Sequence, residues 1–341
     1  MKEQHKEQIV YIDFLRIFAA FAVVLLHTSA PLLVKITESN TEHFIQGNII
    51  NSATRWSVPI FFMISGALLL NSKREFDLNF FLKKRFSKIL IPFLFFSIFY
   101  FLVSSQTVDI RHFIVGLANN GIATHLWFFY ALIAVYLFAP ILIIFVKHSN
   151  EKINIYILIV WFTLCSIVPF INSMIPILNI NNFGVFGTYL GYFLLGYVLF
   201  NRSFKKTERL IIYFMGIVGY LMTFIVTHFY SLKAGSFYSI LYEYYSPNVL
   251  FMSIAIFVFF KYAFNFKMKR TKLLTKISAL TFGVYLMHPF FLQYFRESSY
   301  LNFLYKDHLI VTTPFIAILV FSLCVIVAFI ISLIPVLKKV V

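Results

Sequence analysis

The sequence predicts an all-α fold: a polytopic integral-membrane bundle of about ten transmembrane helices with both termini in the cytosol. Three observations carry this. Of 341 residues, 60% are hydrophobic and 12% charged, at a mean hydropathy of +0.85, whereas soluble domains carry roughly a quarter of their residues charged. Apolar stretches of about 20 residues, the length a spanning helix needs, recur from end to end. Lys and Arg crowd into alternate connections, as they do on the cytosolic side of membrane proteins. No stretch is polar and long enough for a separate soluble domain, so a single membrane domain is expected over residues 1–341.

The expected spans are 9–31, 50–71, 89–104, 123–146, 152–171, 184–200, 209–230, 245–264, 277–296 and 309–337. The segments 103–122 and 230–244 read as outer loops able to hold a re-entrant piece. With the N-terminus inside, the cytosolic segments hold 22 of the 29 Lys and Arg residues, 23 with Arg16. Six lie outside: Lys35, Arg55, Arg111, Lys233, Arg296 and Lys306. The net charge of +16 is therefore a topology signal that suits anionic lipid headgroups and calls for no nucleic acid. The same rim would also attract a polyanionic cytosolic ligand. Cys165 and Cys324 fall inside spans, so no disulfide framework or cysteine metal site is implied. The first span lacks a small-residue cleavage site and reads as a retained anchor.

The first span carries three ionisable residues. Asp13 lies one turn before Arg16, and His27 follows Arg16 by eleven residues, which returns to within roughly 20° of the same face. Charges within a spanning helix mark function when they share a face. The competing reading is a snorkelling Arg at one end and an interfacial His at the other. In the second span, Arg55 precedes Pro59, Phe62 and Gly66 on one helical face; Pro59 is expected to kink the helix, and Ser65-Gly66 reads as a packing notch. The fourth span opens with His125 and Trp127 at the depth where Arg55 and His27 end. Trp127 alone fits the aromatic belt. In the ninth span Ser278, Thr281, Tyr285 and His288 are spaced to form one polar face, which serves either a site or a neighbouring helix. The histidines lack acidic companions at ligand spacing, so no metal is expected.

Tyr11-Ile12-Asp13-Phe14-Leu15-Arg16 followed by His27 resembles the Arg-x10-His signature of membrane acyltransferase family 3. Asn51 to Arg55 with Val58 to Gly66 is similar to its second-helix motif, and Phe80 to Pro92, with Arg85, to its inner loop. His125-Leu126-Trp127-Phe128 and Tyr285 to Pro289 resemble its later signatures. Within the family the chain looks most like the short stand-alone type that O-acetylates enterobacterial common antigen. The resemblance implies transfer of an acyl group, usually acetyl, from cytosolic acyl-CoA to a hydroxyl of a cell-surface polysaccharide or its lipid-linked precursor, in a bacterial-type plasma membrane, with no bound cofactor. On that footing His27 is the expected general base, with an acyl-His intermediate as a variant. Arg16, oriented by Asp13, binds the donor or stabilises the oxyanion, with Lys84 and Arg85 as further donor contacts. Arg55, His125 and Trp127 position the acceptor, and Tyr285 and His288 close the site. The alternative reading is an exporter or flippase of polysaccharide or lipid-linked sugar.

Overall fold

Inside a bilayer a backbone N–H or C=O has no water to bond, so an apolar chain crosses it as helix. The computed structural model describes residues 2–34, 36, 41–72, 76–104, 109–175, 184–264, 271–298 and 308–341, and their side chains apart from those of 2–9 and 184–186. Of the charge pattern, Lys35, Lys73, Arg74, Lys267, Lys269, Arg270 and Lys306 lie outside the described residues, as do the side chains of Lys2 and Lys6. The described residues form helices and connections without strands: α1 (Lys2–Ser29), α2 (Thr41–Ser52), α3 (Ser57–Leu69), α4 (Leu78–Ser104), α5 (Ile110–Ala118), α6 (Trp127–His148), α7 (Glu151–Phe162), α8 (Val168–Met174), α9 (Gly184–Asn201), α10 (Lys206–Ala234), α11 (Pro247–Ala263), α12 (Lys272–Glu297) and α13 (Leu309–Leu333). Among them 7 stretches are long and apolar enough to cross a membrane unaided. The chain is a polytopic helical membrane protein. The other three expected spans correspond to the α2–α3 pair, to α9 and to α12, whose polar face lowers its hydropathy.

Three boundaries differ from expectation for physical reasons. The expected second span, 50–71, is two helices with a turn at Ala53–Trp56. Thr54 and Ser57 close that turn with N–H bonds to Asn51 O (3.1 Å) and Thr54 O (3.0 Å). Pro59 therefore sits in the first turn of α3, where its missing N–H costs no bond, and the kink expected there is absent. The basic stretch expected as a loop before span three is instead the first half of α4. Asp77 starts that helix early, its Oδ1 accepting the Phe80 N–H at 2.6 Å. The 103–122 segment holds α5, started by Asp109, whose Oδ1 accepts the Arg111 N–H at 2.9 Å.

Helix directions follow from the contacts. Arg16 faces Ser278 and His27 faces His288, so α1 and α12 run parallel. At the start of α13 the Ile310 N–H bonds Gln46 of α2 (2.8 Å), while late in α13 the Phe329 ring lies under Lys276 (3.8 Å). The start of α1 from Val10 and the end of α13 therefore share one end of the bundle, which also holds Lys84, Arg85, Lys338 and Lys339.

Two packing devices position the core. Gly66 of α3 and Gly196 of α9 let the backbones touch: a Cβ at Gly66 would lie 1.7 Å from Phe193 O, and one at Gly196 would lie 1.9 Å from Met63 O. The packing notch expected at Gly66 is thus real. Lys261, counted in the sequence as a rim charge, is instead buried. Its Nζ donates to Leu199 O (2.8 Å), Phe200 O (2.7 Å) and Arg202 O (2.7 Å), satisfying the carbonyl end of α9. Both devices are testable by thermal unfolding in detergent. Gly196→Ala should destabilise by about 1–3 kcal/mol through overpacking. Lys261→Met should cost a similar ~1–3 kcal/mol by orphaning those carbonyls.

Candidate active site

Three spans deliver histidines to one place. The His27 ring on α1 lies 5.0 Å from that of His288 on α12, and His125, just before α6, lies 5.9 Å from His288, centroid to centroid. His288 and His125 are buried, whereas His27 is half-buried. The Tyr285 hydroxyl donates to the His125 carbonyl. Tyr100 of α4 donates to Leu286 O at 2.7 Å, and its ring lies 4.8 Å from that of His125. Arg296 Nη2 donates to His27 O at 2.6 Å. The buried Nε2 atoms of His125 and His288 have no hydrogen-bond partner among the described residues. Ser278, Thr281, Tyr285 and His288 are all buried, as one inward face of α12 requires.

Arg55 enters this group from the turn between α2 and α3. Its Nη2 donates to Asn51 Oδ1 at 2.6 Å, and its guanidinium lies 4.1 Å above the Tyr242 ring. Asn51 in turn donates to Leu26 O and Ser29 Oγ, both at 2.9 Å, tying the turn to the end of α1. Arg55 and Arg296 are the cations whose charge reaches His27. Trp127 stands apart from the histidines. It stacks on Tyr244 at 5.7 Å and lies 5.7 Å from Tyr189, and Tyr244, like Tyr242, neighbours Arg55.

The remaining expected residues lie at the basic end. A cavity of 1040 Å³ is lined there by Arg16, Lys84, Arg85, Lys88, Lys338 and Lys339, with no Asp or Glu lining it among the described residues. Arg16 Nη1 donates to Ser278 Oγ at 3.2 Å. Asp13 is buried one turn before Arg16 and is not part of the cavity wall. At its inner limit the cavity meets Phe61 and Phe128, whose rings are 6.2 Å apart. Phe128 lies 5.1 Å from Tyr285, itself 5.9 Å from His288. An aromatic layer thus separates the cavity from the histidines. Arg16 and His27, which share one helix, face opposite sides of it, about 16 Å apart along the axis.

Sequence reasoning did not place Tyr100, Arg296, Tyr242, Tyr244 or the C-terminal Lys338 and Lys339 in the site. Tyr100 sits in an aromatic-rich run that carries no distinguishing pattern. Arg296 follows His288 by eight residues, close to two helical turns, so helical phase could have found it. Among the described residues no three His, Cys, Asp or Glu side chains are arranged to hold a metal ion.

A family model described as an acyltransferase domain matches residues 9–333. A serine/alanine racemase of Enterococcus gallinarum is 27% identical over 310 residues, covering 82% of this chain and 40% of the relative. The chain thus spans two fifths of that relative's length. No solved structure matches the chain.

The Asn51 tie yields a prediction. Asn51→Leu removes the donor to Leu26 O and the acceptor for Arg55, and should destabilise by about 1–3 kcal/mol. Differential scanning of the purified variant would show whether the melting temperature falls accordingly.

Proposed function

The chain belongs to acyltransferase family 3, and on that premise we propose that it moves an acyl group, acetyl in the first instance, from cytosolic acyl-CoA to a hydroxyl of a cell-surface glycan or its lipid-linked precursor. The basic end then faces the cytosol of a bacterial-type plasma membrane, as the excess of Lys and Arg there favours. One observation carries the reading: a basic cavity of 1040 Å³ and a histidine cluster lie at two depths of the same helices. The racemase named in the relative is not assigned to this chain. Phe61, Phe128 and Tyr285, lying between the two sites, favour passage of a small acyl group over export of a whole glycan.

The donor's phosphates fit the cavity, where Arg16, Lys84, Arg85, Lys88, Lys338 and Lys339 supply the counter-charge. Arg16, buttressed by Asp13, is too far from His27 to meet an oxyanion there, so the distance assigns it to the donor. Arg55 and Arg296 are the cations near His27 and take the oxyanion and acceptor roles. His27 removes the proton of the acceptor hydroxyl, whose oxygen attacks the thioester carbonyl. A C–O bond forms as the C–S bond breaks, and the departing thiolate takes the proton from His27. The products are an ester and free CoA. Trp127 with Tyr189 and Tyr244 offers flat faces on which a sugar ring can stack.

Vesicles carrying the protein, given radiolabelled acetyl-CoA or succinyl-CoA, test this reading. Label should enter membrane glycan with the wild type and fall about 10²–10⁴-fold with His27→Ala; undiminished transfer by that variant would remove His27 from the chemistry. Replacing Lys338 and Lys339 together by Ala should raise KM for acetyl-CoA several-fold with kcat unchanged, the mark of lost ground-state binding. The difference should shrink in high salt, which screens exposed charges; an effect confined to kcat would place these lysines elsewhere.

A further inference from the structure

An α-helix sends the N–H of each residue to the carbonyl four positions back, and proline has none to send. Pro289 therefore releases the carbonyl of Tyr285 in the middle of α12. A side chain takes that carbonyl: His288 Nδ1 lies 2.7 Å from Tyr285 O, with Val284 O at 3.3 Å. A carbonyl only accepts, so Nδ1 holds the proton and Nε2 of the neutral ring holds the lone pair. That lone pair belongs to a residue of 0% exposure and has no partner among the described residues. A buried acceptor without a donor costs about 1–3 kcal/mol, which makes it a place where a donor belongs. Two imidazoles flank it, and His27 is the nearer, at 5.0 Å between centroids and inclined by 46°. A modest rotation of the half-buried His27 ring closes an N–H···N bond. The other groups facing His27 are His125 and the guanidiniums of Arg55 and Arg296; the guanidiniums carry only donors and cannot accept its proton.

We propose that His288 is a positioning residue for His27. Its Nε2, fixed as an acceptor by the Pro289 gap, takes the N–H of His27 and so leaves the other His27 nitrogen bare toward the acceptor hydroxyl. This extends the reading of His27 as base. When His27 removes the hydroxyl proton, the imidazolium formed keeps its second N–H on His288. Passing the new proton to the leaving thiolate restores the starting pair, and His288 itself neither gains nor loses a proton. The expectation that His288 closes the site thereby takes a specific form, contact with the base.

Nitrogen-15 spectroscopy of histidine-labelled protein in lipid nanodiscs reads the tautomer directly, the His288 signals being those that vanish in His288→Gln. The wild type should show a protonated Nδ1 and a bare Nε2. Pro289→Ala returns an N–H to Tyr285 O, so His288 should lose that pattern while label transfer from acetyl-CoA falls about 10²–10⁴-fold, as for other displaced base-orienting groups. His288→Asn keeps an amide for Tyr285 O but places nothing at Nε2, and should be equally impaired. His288→Gln restores an acceptor oxygen near Nε2 and should recover at least tenfold over the Asn variant. This pair decides the matter even if Pro289→Ala does not fold. A wild-type His288 protonated on Nε2, or full transfer by His288→Asn, would overturn the proposal. Transfer by His27→Ala would instead overturn the base reading, leaving the measured tautomer intact.

Discussion

The site depends on one constraint: in hydrocarbon, a backbone carbonyl deprived of its helical N–H must find a donor within the protein. This chain breaks helical continuity at the Ala53–Trp56 turn and at Pro289, and at each a polar side chain stands beside the break. Trp56 Nε1 donates to Ala53 O at 2.7 Å, and Thr54 Oγ1 to Asn51 O at 2.9 Å. His288 takes Tyr285 O, and Tyr100 reaches the neighbouring carbonyl of Leu286. At Pro289 the recruited side chains belong to the histidine cluster: His288 faces His27, and Tyr100 faces His125. Repair of the main chain and construction of the site are here the same set of bonds.

The cations divide by the same logic. Arg16, Lys84, Arg85, Lys88, Lys338 and Lys339 line the cavity at the basic end. Lys261 is spent on the carbonyls of α9 and contributes to architecture instead. Arg55 is held on both sides, by Asn51 and by the Tyr242 ring, and Tyr242 is itself fixed by its hydroxyl on Asn48 Oδ1 at 2.5 Å. A guanidinium constrained in this way keeps its direction while charge develops nearby, which is the condition for electrostatic catalysis without reorganisation.

Much of this was legible in the sequence because periodicity and hydropathy act locally. The eleven-residue spacing of Arg16 and His27 places both against α12, and the Ser278-to-His288 stripe is buried as its phase requires. Gly66 could be read as a notch because small residues admit backbones. What escaped was non-local or depended on capping. Asp77 lengthened α4 through a single side-chain bond, turning an expected loop of lysines into a helical wall. The Ala53–Trp56 break sits in the polar stretch Asn51 to Ser57, which reads equally as the outer end of one span, and Pro59 was credited with a kink because its place in the first turn of α3 follows only from that break. Tyr100 and the C-terminal lysines join the site through folding partners far away in the chain.

The aromatic layer of Phe61, Phe128 and Tyr285 has an electrical consequence. An aqueous cavity entering a membrane protein thins the insulation between two compartments, and the transmembrane voltage concentrates on whatever low-dielectric wall remains. Here that wall is a few rings thick, and the hydroxyl of Tyr285 is already committed to the His125 carbonyl. A hydrated ion driven against it must shed its water without compensation, at a cost of many kcal/mol. A short acyl chain carries no such shell. On the proposed reading the layer serves as a permeability filter that stops charge, so that transfer from a cytosolic donor to an outer acceptor need not discharge the membrane.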